Sequence, residues 1–350
     1  MDPDAIDGIL DASRGDDGSE ACTTALRHPR GTDDRIQYDF RSCTNPSVPE
    51  GAVRVYQSAF STARRFPEDT YCEYRVAAGS FVGCDPEQVI PTPGWAAGIR
   101  LVLATGVDSG DEVLVGTPAP PTYEREITLQ GGTPTFVDAP ALFDADPQEY
   151  DAVLAATPNT VSGEAYDARA LSALADRCRA AETPLVLDES FLPLTDLPSM
   201  AGREGVAVVH SLGRLFGFPG LRAGFVAATG ECRDRLDVAR LPASLGTAAA
   251  ELGTYCMEQQ SFLEETRQRT ESERERLRDS LGGTFDISAS VAPFLLLDAG
   301  SADRAQRVVD RCREAGIAVY DARQVRGLDS HVRVAVKLPE DNDVLIETLS

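Results

Sequence analysis

Apolar positions along this chain recur in two alternating rhythms. Leu171, Leu174, Ala175 and Cys178 are spaced i, i+3, i+4, i+7 and predict an amphipathic helix over 168–180. A helical period also runs through GAVRVYQSAFSTARRF (51–66), EYRVAAGSFVG (73–83) and AAGIRLVLATG (96–106), the last ended by a glycine. Between and after these lie short runs that predict strands: DEVLVGTP (111–118), DAVLAATPN (151–159), TPLVLDES (183–190) and VAVVHSLG (206–213). Strand–helix–strand alternation implies an α/β fold, a largely parallel sheet with helices on both faces. Ligands of such sheets sit beyond the carboxyl ends of the strands, where Thr157–Thr160, Asp188 and Ser211–Arg214 fall.

After about residue 240 the texture changes. Residues 251–281 read as one long charged helix with Glu/Arg pairs at i, i+4. FDISASVAPFLLLDAG (285–300), a helix at 302–315, a strand at 331–336 and a helix at 340–349 complete a smaller α+β unit. Residues 1–34 are rich in Asp, Gly, Ser and Arg, with one apolar patch at Ile6–Leu10, and read as a loosely held arm. The expected organisation is an N-terminal arm (1–50), a large domain (51–240) and a small C-terminal domain (241–350).

Composition narrows the function. The chain has 350 residues, 42% hydrophobic and 25% charged, enough for a sizeable core. No apolar run reaches the roughly 18 residues a membrane span needs, and the acidic N-terminus resembles no signal peptide, so a cytoplasmic protein is expected. A net charge of −23 argues against nucleic acid or an anionic membrane as partner. Lys337 is the single lysine among 33 basic residues, and such an acid-rich, lysine-poor surface points to a halophilic origin. Lys337 itself is expected on the surface. The eight cysteines form no CxxC pair and the three histidines (28, 210, 331) are scattered, so free, mostly buried thiols and no metal site are expected.

One segment carries more. SLGRLFGFPGLRAGF (211–225) resembles the active-site segment of the fold-type I pyridoxal-phosphate enzymes, Ser-x-Thr/Ser-Lys-x-Phe-Gly-x-Pro-Gly-Leu-Arg-x-Gly-Tyr. RFPEDTY (65–71), CDPEQVIPTPG (84–94), TPNTVSG (157–163) and LVLDESF (185–191) are similar, in order, to further motifs of that family. DFRSCTNP (39–46) and RGLDSHVRVAV (326–336) look most like the threonine-phosphate decarboxylases of cobalamin biosynthesis, then the histidinol-phosphate aminotransferases. The resemblance spans about residues 35–349. It implies the aminotransferase fold, pyridoxal 5'-phosphate as cofactor, a small phosphorylated amino acid as substrate and a dimer.

The same resemblance assigns residues. Asp188 matches the partner of the pyridine nitrogen, Ser211 and Arg222 match cofactor-phosphate ligands, and Gly94 belongs to the phosphate loop. Thr160 stands for the asparagine that bonds the cofactor hydroxyl. Arg333 and His28 match substrate-binding positions. The Schiff-base lysine falls at Arg214, and a guanidinium, protonated at any working pH, is no Schiff-base nucleophile. Phe66 replaces a tyrosine lent between subunits, Pro93 removes a backbone donor from the phosphate loop, Pro120 stands where an aromatic stacks, and Tyr320 stands for a second arginine. Together these changes imply a degenerate member without Schiff-base chemistry, one that holds the cofactor or a phosphorylated amino acid non-covalently or has become a scaffold. Two alternatives remain open: a structural or regulatory subunit paired with an active homologue, and an active decarboxylase using an unorthodox route or Lys337. Whether Arg214 pairs with Asp188 or contacts a bound phosphate is also open.

Overall fold

The computed structural model describes residues 1–14 and 35–350, and His28 and Cys22 lie outside the described residues. The apolar runs form seven strands: β1 Val89–Thr92, β2 Glu112–Gly116, β3 Thr133–Val137, β4 Ala152–Ala156, β5 Leu185–Asp188, β6 Val206–Ser211 and β7 Gly224–Ala227. They make one sheet in the order β1-β7-β6-β5-β4-β2-β3. β6, β5, β4, β2 and β3 run parallel, and β7 lies antiparallel between β6 and β1.

Twelve helices surround the strands among the described residues: α1 Pro3–Arg14, α2 Ala52–Thr62, α3 Cys72–Val82, α4 Trp95–Gly106, α5 Pro121–Leu129, α6 Ala139–Asp144, α7 Ala168–Ala180, α8 Gly230–Ala239, α9 Thr247–Met257, α10 Gln260–Leu281, α11 Ala302–Glu314 and α12 Pro339–Leu349. Side chains alternate across the sheet. Val113 and Val115 pack with Ile99 and Val102 of α4 and Ile127 of α5, while Leu114 packs with Leu142 of α6 and Leu171 and Leu174 of α7. The sheet is thus covered on both faces, as the alternation of elements implies.

A second sheet holds β8 Phe294–Asp298 and β9 His331–Ala335 as an antiparallel pair, flanked by the short strands Asp286–Ile287 and Tyr320–Asp321. Leu295, Leu297, Val332 and Val334 bury one face against Leu277 and Leu281 of α10, Cys312 of α11 and Leu345 of α12. The opposite face carries Phe294 and Ala335, which pack with Cys43 and Phe191 and so join this sheet to the first.

Two expectations are corrected. The N-terminus is no loose arm at its start: Pro3–Arg14 is a helix, and the Asp2 N–H donates to Leu129 O at 2.9 Å while Ser109 Oγ donates to the Asp2 carboxylate at 2.8 Å. The long helix over 251–281 is two helices, with Gln259 at φ −86°, ψ 66° turning the chain between them. Each half buries a different partner. Leu252, Cys256 and Met257 of α9 face α2 and α3, whereas Leu277 and Leu281 of α10 face the second sheet. The described cysteines are mostly buried, as expected, with Cys72 on the surface at the start of α3.

Candidate active-site pocket

The carboxyl ends of β4, β5 and β6 open into a cavity of about 620 Å³. Gly94, Thr160, Asp188, Ser211, Arg214, Arg222 and Arg333 all line it, together with Pro120 and Tyr320. Residues from five separate motifs therefore meet in one place. Phe66 is elsewhere, 96% exposed in the loop after α2.

Close backbone approach builds one wall. Gly224, the first residue of β7, pairs with Thr92 of β1 and Ser211 of β6. A Cβ there would stand 2.5 Å from His210 O and 3.2 Å from Gly94 Cα, so glycine is what lets the loop before α4 reach the sheet. Gly94 itself has φ +86°, and its missing Cβ leaves room for the Arg222 guanidinium, whose Nη2 would be 2.9 Å away. Among the described residues the Arg222 guanidinium donates from Nη1 to Pro219 O alone, at 3.4 Å.

Asp188 ends β5 and is fully buried. Its Oδ1 accepts the Ser190 N–H at 2.9 Å. Its Oδ2 accepts the Tyr123 hydroxyl at 2.8 Å and the Trp95 indole N–H. Burial pushes the Asp188 carboxyl up from its ordinary range, and the donors from Ser190, Tyr123 and Trp95 pull it back in part. The Asp188–Arg214 pair left open by the sequence is absent.

Among the described residues the Arg214 side chain makes no hydrogen bond or ion pair. Burial lowers its pKa, and Arg333 and Arg222 act in the same direction while Cys43 and Asp188 oppose it. Arg333 is the cross-strand neighbour of Tyr320 and lies 4.4 Å over its ring and 4.9 Å over that of Phe294, with Nη1 donating to Thr160 O at 2.8 Å. The residue read as a missing arginine thus supplies a face for the arginine that is present. Asp321, also at the cavity, is paired to Arg323 at 2.6 Å. Thr160 Oγ1 and Ser190 Oγ are buried, the first beside the Tyr123 hydroxyl and the second beside the Asp188 carboxylate.

Lys337 is not the surface residue expected. It is half-buried, its Nζ donates to Ser42 O at 2.8 Å and Thr44 O at 3.4 Å, and burial lowers its pKa. It does not line the cavity, although Ser42 and Cys43 do.

Sequence reasoning missed three of these neighbours as site residues. Tyr123 lies three residues after Pro120, in TPAPPTY (117–123), and Cys43 in DFRSCTNP. Trp95 was legible only as a neighbour of the phosphate loop, since nothing in its sequence context points to a carboxylate 93 residues away.

Comparison with known proteins follows the same lines. The model of the family described as aminotransferase class I and II matches residues 37–349. Histidinol-phosphate aminotransferase 1 of Archaeoglobus fulgidus is 26% identical, over 87% of this chain and 96% of the relative. The L-threonine-O-3-phosphate decarboxylase structure from Porphyromonas gingivalis superposes with TM-score 0.80 at 20% identity, covering 89% of this chain and 98% of that one. The histidinol-phosphate aminotransferase of Sinorhizobium meliloti, solved in complex with pyridoxal-5'-phosphate, gives TM-score 0.80 at 18% identity over 90% of each chain. At these identities the structural likenesses establish the fold.

Proposed function

This chain belongs to the class I and II aminotransferase family, a pyridoxal-phosphate-dependent family, and from that premise we propose that it binds a small phosphorylated amino acid without forming a Schiff base. The observation that carries this reading is the charge of the cavity. In a chain with 56 acidic against 33 basic residues, three arginines (214, 222 and 333) face one cavity with no carboxylate paired to any of them among the described residues. Unneutralised guanidinium groups grouped in a cleft favour phosphate and carboxylate ligands. By the family resemblance, Arg222 takes a phosphate and Arg333 a carboxylate. Covalent chemistry lacks its nucleophile: the cavity lining includes no lysine, and Lys337, held behind Ser42 and Thr44, weighs against the decarboxylase alternative.

Titration calorimetry in concentrated salt tests this. O-phosphothreonine is expected to bind saturably, with no CO₂ release, no amino transfer and no imine absorbance on adding pyridoxal phosphate. Turnover of O-phosphothreonine that disappears in Lys337→Ala would overturn the reading in favour of the decarboxylase.

We further propose that the chain pairs with a second copy through α2. Val53, Tyr56 and Phe60, at i, i+3, i+7 on that helix, are 54%, 50% and 79% exposed, and Phe66 follows them. An apolar stripe of this kind on a water-facing helix supports an interface. Phe60→Glu is expected to shift sedimentation from dimer to monomer. A wild-type monomer that dimerises only with an added homologue would support the heterodimer instead.

A further inference from the structure

The cavity resting on that non-covalent reading has two unlike ends. One is the arginine end. The other is Asp188, and there the residues do not fit a pyridine ring. A ring nitrogen needs an oxygen of that carboxylate, yet Oδ2 already accepts two donors from the protein, Tyr123 O–H and Trp95 Nε1–H, and Oδ1 accepts the Ser190 amide. The covering is complete: Asp188 is 0% exposed although it borders the cavity.

Trp95 reaches this position for a local reason. It is the first residue of α4, directly after Gly94, so its side chain leaves the loop that approaches the sheet at Gly224. Its ring lies 6.1 Å from that of Tyr123, tilted by 42°. Indole has a single N–H donor and loses by leaving it unpaired when buried, so the Asp188 carboxylate and the ring hold each other. Ser190 and Thr160 border the same volume, their hydroxyls turned toward the Asp188 carboxylate and the Tyr123 hydroxyl.

We propose that Trp95 is the specificity determinant of this cavity: its indole N–H holds the seat on Asp188 that a pyridine ring would need, leaving the arginine end to a small aliphatic anion. Pyridoxal phosphate enters poorly, and an acyclic phosphorylated amino acid is unaffected by the plug.

The single tryptophan makes this directly measurable. In a proton–nitrogen correlation spectrum of the unmutated protein the one indole N–H is expected downfield of free indole and slow to exchange, and Asp188→Asn should move it upfield. An indole at the free position, or one unmoved by that substitution, would overturn the assignment without any ligand being present. Trp95→Ser is then expected to bind pyridoxal phosphate at least about tenfold more tightly than wild type. Equal pyridoxal phosphate affinity in both proteins would also overturn it. Failure of O-phosphothreonine to bind either protein, with the indole resonance as expected, would defeat the proposed function and leave the role of Trp95 standing.

Discussion

Arg214→Leu is expected to weaken O-phosphothreonine binding by about 30- to 5000-fold while raising the melting temperature of the ligand-free protein. The two effects have one cause. Without ligand the guanidinium is set into the cavity with no ion-pair partner among the described residues, beside Arg222 and Arg333. Removing one member of a charge pair formed with a ligand costs roughly 2–5 kcal/mol of binding. Removing an unpaired, partly desolvated cation from the free protein relieves roughly 1–3 kcal/mol, the lower part of the range applying because the side chain remains partly open to the cavity. Arg214→Lys keeps the charge and should lose less of both. Calorimetry and thermal melts on the three proteins decide it: a Leu variant that melts lower yet still binds would make Arg214 a structural residue.

Phe294→Ala is expected to destabilise the fold by about 3–5 kcal/mol, the usual cost of emptying an aromatic site in a packed core. Phe294 is fully buried, meets Phe191 edge-on at 5.3 Å and lies under Arg333. It joins the two sheets and also supports one of the cavity arginines. Urea midpoints should fall with the slope unchanged. In the fraction that stays folded, anion binding should weaken as well, because Arg333 loses one of its two rings. Phe294→Leu, which keeps most of the volume, should recover most of the stability. Equal losses for Leu and Ala would show that the aromatic contacts, rather than the filled volume, hold the junction.

The elements with an uninterrupted period were legible in the sequence. The helix expected at 168–180 is α7 to the residue, because its four apolar positions meet one flat face of the sheet. The strands that escaped notice each lack a clean pattern for a physical reason. β1 carries Pro91 and sits at the sheet edge, where a missing N–H is tolerated. β3 is the other edge strand and is only partly buried, so its TPTFV run shows neither full apolarity nor alternation. The break between α9 and α10 was hidden because neither proline nor glycine marks residues 254–264, while the partner surface changes.

The site divides in the same way. Asp188, Ser211 and Arg214 follow from strand ends, and Arg222 and Arg333 come from a motif resemblance that the shared cavity now gathers into one place. What joins Trp95 to Asp188 is a side-chain direction set by Gly94 and Gly224, which periodicity does not encode. The same contact answers the question of an Asp188–Arg214 pair. The Trp95 indole and Tyr123 hydroxyl on Oδ2 and the Ser190 amide on Oδ1 satisfy the carboxylate without the arginine.

The position of Lys337 has a practical consequence for chemistry done on this protein. With one lysine in the chain and its Nζ committed to two carbonyl oxygens, reagents that seek a primary amine meet only the N-terminus and one guarded group. Adventitious adducts of aldehydes, which obscure carbonyl-trapping experiments on lysine-rich proteins, have almost nowhere to form. Borohydride reduction after exposure to an aldehyde ligand, followed by peptide mass analysis, is therefore expected to leave the cavity peptides unmodified, since no lysine lines the cavity, and active esters would tether the protein chiefly by its N-terminus.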